Sequence, residues 1–128
     1  MTLKMKKILV IEDEADLRES IVSFLQAEGY VVIVAENGEQ GVDIAVREIP
    51  DLVVCDIAMP QMDGFGALFS LRENVTTSHI PFIFLTASNR VYDRKFGFEL
   101  GANDYITKPF SFDVLLAAID KRLPADAP

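Results

Sequence analysis

Short apolar runs alternate along this chain with segments in which apolar residues recur every three or four positions. Five runs have the length and the β-branched content of strands: 8–11, 30–35, 52–55, 80–85 and 104–107. The runs are nearly continuous and do not alternate with polar residues. Such runs are typical of parallel strands with two buried faces, so the pattern predicts a sheet covered by helices on both sides.

Five segments with helical spacing follow the five runs. Gly29 and Pro50 end the first two, Asn37 and Gln40 have the spacing of a capping box at the start of the second, and Ser111 is placed to cap the fifth. Five strands alternating with five helices indicate an α/β fold, a doubly wound (βα)5 unit built on a five-stranded parallel sheet.

Composition and charge argue against several classes of function. The 128 residues include 20 acidic and 12 basic side chains, giving a net charge of −8. We expect one domain over residues 1–123, with 124–128 as a tail or the start of a linker. The acidic balance argues against direct binding to nucleic acid or to an anionic membrane. The single cysteine excludes an internal disulfide and a cysteine–histidine zinc site. Without a signal-peptide pattern or an apolar run of membrane-spanning length, a cytoplasmic location is expected.

Polar side chains follow four of the predicted strands: Glu12 and Asp13, then Asp56, Thr86 and Lys108. Ligands of open parallel sheets bind at the carboxyl ends of the strands. Carboxylates converging there would repel each other by roughly 3 kcal/mol per pair at ~5 Å and an effective dielectric of ~20, so the cluster needs either a cation or a raised carboxyl pKa. Oxygen ligands favour Mg²⁺, and a lysine with a hydroxyl suits phosphate oxygens. The pattern therefore predicts a phosphoryl-transfer site with Asp56 as the nucleophile.

The same residues form a family pattern. The chain resembles the receiver domain of two-component response regulators over about residues 5–123. Four motifs carry the likeness in this order: Glu12-Asp13, Asp56 within CDIAMPQMDG, Thr86-Ala87, and GANDYITKPF at 101–110. The resemblance implies a flavodoxin-like receiver fold with strand order 2-1-3-4-5. It also implies a signalling phosphoacceptor, with self-catalysed phosphotransfer and autodephosphorylation, and not an enzyme in the ordinary sense.

The resemblance assigns the metal ligands and the phosphoacceptor. Asp56 would take a phosphoryl group from a sensor histidine kinase or a phosphotransfer protein, in a reaction that depends on Mg²⁺ or Mn²⁺. Asp13, Asp56 and the backbone carbonyl of Ala58 would ligate the ion, and Glu12 would hold it through a water molecule.

The resemblance also assigns the phosphate ligands and the switch. Thr86, the backbone N–H of Ala87 and the side chain of Lys108 would bind the phosphoryl oxygens. The Lys108–Pro109 peptide bond is expected to be cis. Tyr105 would point outward at rest and inward when Thr86 moves toward the phosphate.

The expected readout surface consists of helix 4, strand 5 and helix 5. Helix 4 contains more apolar residues than one buried stripe needs: Val91, Tyr92, Phe96, Phe98 and Leu100. We hypothesise that some of them face a partner or a second copy, giving a homodimer. The alternative is that all of them pack into the core.

Three rival interpretations share parts of this pattern. A flavodoxin-like FMN module would need a phosphate-cradling loop after strand 1, where this chain has an acidic one. A haloacid-dehalogenase-type phosphatase would need a second aspartate two residues after the nucleophile, where this chain has Ala58. A degenerate receiver, acting only as a binding module, would not need the intact set of Asp13, Asp56, Thr86 and Lys108.

Overall fold

The fold alternates strand and helix five times in a computed structural model that describes residues 5–123. The elements are β1 Lys7–Ile11, α1 Ala15–Ala27, β2 Val31–Ala35, α2 Gly38–Glu48, β3 Leu52–Cys55, α3 Gly64–Glu73, β4 Phe82–Thr86, α4 Val91–Glu99, β5 Asp104–Thr107 and α5 Phe112–Arg122. All strands pair in parallel, in the order β2-β1-β3-β4-β5. The predicted doubly wound sheet is confirmed. The expected tail at 124–128 lies outside the described residues.

Two apolar clusters, one on each face of the sheet, form the core. One contains Leu9, Val53 and Phe84, and the other contains the alternate strand residues Val10, Val54 and Ile83. Strands β3 and β4 are buried along their whole length, as their continuous apolar runs predict. None of the helices between residues 5 and 123 has both the length and the hydropathy needed to cross a membrane.

The prediction of burial on both faces is wrong for β2. Val31 and Val34 of this strand are exposed. The reason is its position, because β2 lies at the edge of the sheet and pairs only with β1. A β-branched run has the same appearance in the sequence whether its strand is central or at an edge.

The strand starts also differ from the prediction. Strand β2 begins at Val31 and not at Tyr30, after Gly29 has turned the chain with a φ of 96°. Strand β4 begins at Phe82, two residues later than predicted. Pro81 has no backbone N–H to donate to a neighbouring strand, so it takes part in the pairing only through its carbonyl oxygen, which accepts from the Val53 N–H at 2.9 Å.

The caps follow the sequence closely. The Asn37 side chain accepts a hydrogen bond from the Gln40 backbone N–H at 2.8 Å, and that of Ser111 accepts from Val114 at 3.2 Å. The capping box is incomplete, because the Gln40 side chain accepts from the N–H of Glu36 and not from that of Asn37. The register pairs Ile11 with both Ala35 and Cys55. The residues that follow β1 and β3 therefore leave the sheet side by side.

Candidate phosphoryl-transfer and metal site

Three carboxylates converge at the carboxyl edge of the sheet. Oxygens of Glu12, Asp13 and Asp56 lie within 4.8 Å of one another. Glu12 and Asp56 are buried, at 2% and 7% exposure, while Asp13 faces solvent. Three carboxylates with an opening to solvent fit a hard divalent cation, which prefers oxygen ligands and retains water molecules.

Lys108 joins the two buried carboxylates. Its Nζ donates to Oε1 of Glu12 and to Oδ2 of Asp56, both at 2.9 Å. Its backbone N–H donates to the Thr86 carbonyl oxygen at 2.7 Å. The peptide bond to Pro109 is cis, as expected. Lys108 therefore contacts the proposed nucleophile, Asp56, directly. The sequence predicted that both residues lie at the same edge of the sheet, but it did not predict the ion pair between them.

Burial and charge act against each other in this cluster. Burial raises the pKa of Glu12, and this effect exceeds the lowering by its hydrogen bonds to Lys108 and to the backbone of Glu14. For Lys108, burial would lower the pKa, but the hydrogen bonds to Glu12 and Asp56 outweigh it and the net pKa is raised. The ammonium therefore stays charged between the carboxylates.

The Asp56 side chain is oriented by its own backbone surroundings. Its Oδ1 accepts from the Ile57 backbone N–H at 2.6 Å, which leaves Oδ2 toward Lys108. Cys55 next to it is fully buried in the core, as predicted, and burial raises the pKa of its thiol. Ala58 is exposed in the loop that leads from Asp56 to α3.

Thr86 lies at the end of β4 and is buried, while Ala87 after it is exposed. The Thr86 Oγ1 accepts a long hydrogen bond of 3.4 Å from the Ser88 backbone N–H. The β4–α4 connection is therefore linked to the threonine hydroxyl.

Tyr105 points inward and is 4% exposed, whereas the resemblance implies an outward position at rest. Its hydroxyl donates to the Ser88 carbonyl oxygen at 2.9 Å, and its ring meets Phe84 edge to face. The Arg94 guanidinium lies 5.7 Å from the ring centroid. These contacts explain the inward position, and burial raises the pKa of the phenol.

Two further polar side chains near the site, those of Arg18 and Asp93, were not predicted from the sequence. Arg18 donates to the Glu12 carbonyl oxygen at 2.8 Å, which fixes the backbone between the metal-binding candidates. Asp93 accepts from the Ser88 hydroxyl at 2.6 Å and so ties the β4–α4 connection to α4. Both are ordinary charged residues in the early part of a helix, and nothing in the sequence distinguishes them from solvent-facing ones.

The surplus apolar residues of α4 divide into two groups. Val91, Tyr92, Phe96 and Phe98 are exposed, and Leu100, the C-cap residue that follows α4, packs against the core. The alternative that all five pack into the core is therefore wrong.

Comparison with known proteins agrees with this geometry. A sequence model of the family described as "Response regulator receiver domain" matches residues 8–120. A protein named "Probable transcriptional regulator ycf27" from Porphyridium aerugineum is 48% identical over 117 residues, covering 91% of this chain and 48% of that protein. The chain thus spans about half the length of such curated relatives.

Solved structures of receiver domains are also similar to this chain. A CheY-like response regulator receiver domain protein from Methanospirillum hungatei JF-1 superposes with a TM-score of 0.88, at 28% identity, covering 94% of each chain. The receiver domain of the sensor histidine kinase PA1611 from Pseudomonas aeruginosa PAO1 superposes with a TM-score of 0.87, at 30% identity, covering 95% of this chain and 100% of that one. The latter structure has a magnesium ion coordinated in its active site cleft.

Proposed function

Because this chain belongs to the family of response regulator receiver domains, we propose that Asp56 is the residue that accepts its phosphoryl group. The observation that supports this choice is the position of the Asp56 carboxylate. It lies among the Glu12 and Asp13 oxygens while its Oδ2 contacts the Lys108 ammonium. A carboxylate in contact with a fixed cation and further acidic ligands is suited to receive a phosphoryl group.

We assign the metal site to Glu12, Asp13, Asp56 and the carbonyl of Ala58. When bound there, Mg²⁺ or Mn²⁺ would supply positive charge to the phosphoryl oxygens and to the nucleophile. The clustered carboxylate oxygens support this assignment, as does the magnesium in the cleft of the PA1611 receiver domain.

The proposed donor is a phosphohistidine of a sensor histidine kinase or of a phosphotransfer protein. A carboxylate oxygen of Asp56 attacks the phosphorus, the new O–P bond forms, and the P–N bond breaks with its electron pair going to the imidazole. Lys108 and the Thr86 hydroxyl donate hydrogen bonds to phosphoryl oxygens, together with the Ala87 backbone N–H. These groups position the phosphoryl group and neutralise its charge.

The proposed switch couples these contacts to α4, β5 and α5. A phosphoryl group on Asp56 adds up to about two negative charges. Attraction of Thr86 toward it would move the Ser88 segment, whose carbonyl holds the Tyr105 hydroxyl. Moving a two-state equilibrium from 1:99 to 99:1 takes about 5.5 kcal/mol, and two or three charge-assisted hydrogen bonds of roughly 1.5–3 kcal/mol each can supply it.

The readout is proposed to use the exposed apolar side chains of α4, with a homodimer or an effector protein as the partner. We also propose a cytoplasmic location, as expected from the sequence. Residues 1–123 are proposed to be the receiver unit, with 124–128 as its tail or the start of a linker.

The test uses acetyl phosphate or phosphoramidate as a small donor, with Mg²⁺. We expect the wild-type chain to gain one phosphoryl group by intact-mass measurement. EDTA should abolish the gain. Asp56→Asn should show none, because the amide is not a nucleophile toward phosphorus. A phosphoryl group that persists in Asp56→Asn would show that the site is elsewhere.

A second measurement separates this function from that of a phosphatase. Ala58 offers no acid or base two residues after the nucleophile. We therefore expect no steady-state turnover of a small phosphomonoester. Sustained multiple turnover would favour the phosphatase interpretation.

A further inference from the structure

The loop from Asp56 to α3 contains two residues in an unfavourable backbone conformation. Gln61 has a φ of 51° and Met62 a φ of 77°, and neither is a glycine. Residues with a Cβ rarely adopt this left-handed region, so neighbouring structure must hold them there.

The neighbour that holds them is the start of α2. The Gly38 N–H donates to the Met62 carbonyl oxygen and the Glu39 N–H donates to that of Gln61, each at 3.2 Å. The Asn37 side-chain amide donates to the Gln61 side chain at 2.9 Å. The first N–H groups of a helix have no partner within it, which leaves them available for the loop.

Gly38 is required by space and not by its backbone angles. A methyl group on its Cα would overlap the Met62 carbonyl oxygen and approach the Asp63 carbonyl oxygen to 3.1 Å. Both atoms belong to the loop backbone, which cannot turn away as a flexible side chain can. The close approach therefore exists only because residue 38 has no side chain.

Gly64 makes a second close approach, at the other end of the loop. A methyl group there would overlap the Asp56 carbonyl oxygen, and the Gly64 N–H donates to the Ile57 carbonyl oxygen at 2.8 Å. The segment that contains Ala58 is thus held between two glycine backbones, one in α2 and one in α3.

We propose that Gly38 is a positioning residue for the phosphoacceptor loop, acting together with Asn37. It touches neither the metal nor the phosphoryl group. It fixes the path of residues 57–63 and thereby the place of the Ala58 carbonyl relative to Asp56. This inference rests on the proposed function of Asp56 and its metal ligands.

Gly38→Ala is the direct test, with Mg²⁺ affinity measured by isothermal titration calorimetry on the full chain. We expect the dissociation constant to rise about tenfold or more, as substitutions that disturb the support of metal ligands commonly do. Phosphorylation by acetyl phosphate should slow in parallel. Amide exchange at Gly38 and Glu39 should accelerate, because their hydrogen bonds to the loop are lost.

Two glycines serve as matched controls. A methyl group on Gly41, one turn later in α2, would overlap the Ile11 side chain in the core. Gly41→Ala should therefore lower the melting temperature and leave Mg²⁺ affinity within about twofold. A methyl group on Gly66 would meet side-chain atoms only, the Met62 Cγ at 2.9 Å and the Asp63 Oδ1 at 3.6 Å, so Gly66→Ala should change Mg²⁺ affinity much less than Gly38→Ala does.

Asn37→Ser keeps the inference falsifiable if Gly38→Ala does not fold. Serine retains a helix-capping oxygen and removes only the amide that donates to Gln61. A weaker but measurable loss of Mg²⁺ affinity is expected.

Three results are distinguishable. If Gly38→Ala folds and binds Mg²⁺ with wild-type affinity, the inference is overturned. If only Asn37→Ser folds, wild-type affinity in that variant overturns it. An equal loss in Gly41→Ala would also overturn it, since the effect would then follow from general destabilisation. A wild-type chain that neither binds Mg²⁺ nor accepts a phosphoryl group would overturn the proposed function itself.

Discussion

At the scale of single residues, Lys108 determines the electrostatics of the site. Two buried carboxylates share its ammonium, each at 2.9 Å. Removing one partner of a buried ion pair is costly because a charge remains without compensation. The same carboxylates are the proposed metal ligands, so the ammonium and a divalent cation compete for them.

Replacing the lysine separates its structural and chemical roles. We expect Lys108→Met to lower the free energy of unfolding by roughly 2–4 kcal/mol in EDTA, measured by urea titration. Mg²⁺ should bind more tightly to the variant, and phosphorylation by acetyl phosphate should slow. Lys121→Met, an exposed position on α5, is the control. An unchanged unfolding free energy would contradict the role given to the ion pair.

The places of the site residues could be predicted from the sequence, because parallel strands bring their carboxyl ends to one edge. Glu12, Asp56 and Thr86 were located in this way. The ion pairs of Lys108 could not be predicted, since they depend on side-chain directions across three strands. The inward position of Tyr105 depends on the Ser88 carbonyl, which no sequence pattern marks.

At the scale of elements, burial was predictable for central strands and not for the edge. The strand predicted from Ile80 begins only at Phe82, although the missing N–H of Pro81 was visible in the sequence. The close approach of Gly38 to Met62 joins elements far apart in the chain, so its reason appears only in the fold.

A side-chain hydrogen bond connects Tyr30, the residue before β2, to α5. The Tyr30 hydroxyl donates to Oδ1 of Asp120 at 3.2 Å. Burial, followed by the negative charge of Asp120, raises the pKa of Tyr30 to about 12 from an ordinary value of 10.0. The folded state holds this proton more tightly than the unfolded chain, so the stability it contributes is complete below pH 10.0 and is lost as the pH rises through about 12.

Tyr30→Phe should therefore flatten the alkaline loss of stability. Urea titrations at intervals from pH 8 to 12 are expected to show a smaller decline in the variant than in the wild type, with the difference confined to the upper part of the range. Tyr92→Phe, at an exposed tyrosine of α4, is the control and should leave the wild-type curve unchanged. Parallel curves for wild type and Tyr30→Phe would argue against the assignment.

At the scale of the whole molecule, α4 presents apolar side chains on a chain of net charge −8. Phe98 is 40% exposed, whereas Phe84 in β4 is 0% exposed. A phenylalanine that serves association should cost little folding stability when shortened, and one that fills the core should cost much.

Two alanine variants test this difference. Phe98→Ala should lower the free energy of unfolding by less than about 1 kcal/mol, and Phe84→Ala by about 3–5 kcal/mol. In sedimentation experiments with beryllofluoride and Mg²⁺, Phe98→Ala should also associate less than the wild type. A stability loss in Phe98→Ala as large as that in Phe84→Ala would assign the residue to the core.

The enclosed thiol of Cys55 has a practical consequence. The chain has one cysteine, it is fully buried, and burial raises the pKa of its thiol well above the ordinary value. An alkylating reagent can therefore reach it only when the sheet opens. The rate of covalent labelling of the native protein reports that opening directly, with no engineered probe and at the residue adjoining the proposed acceptor of the signal.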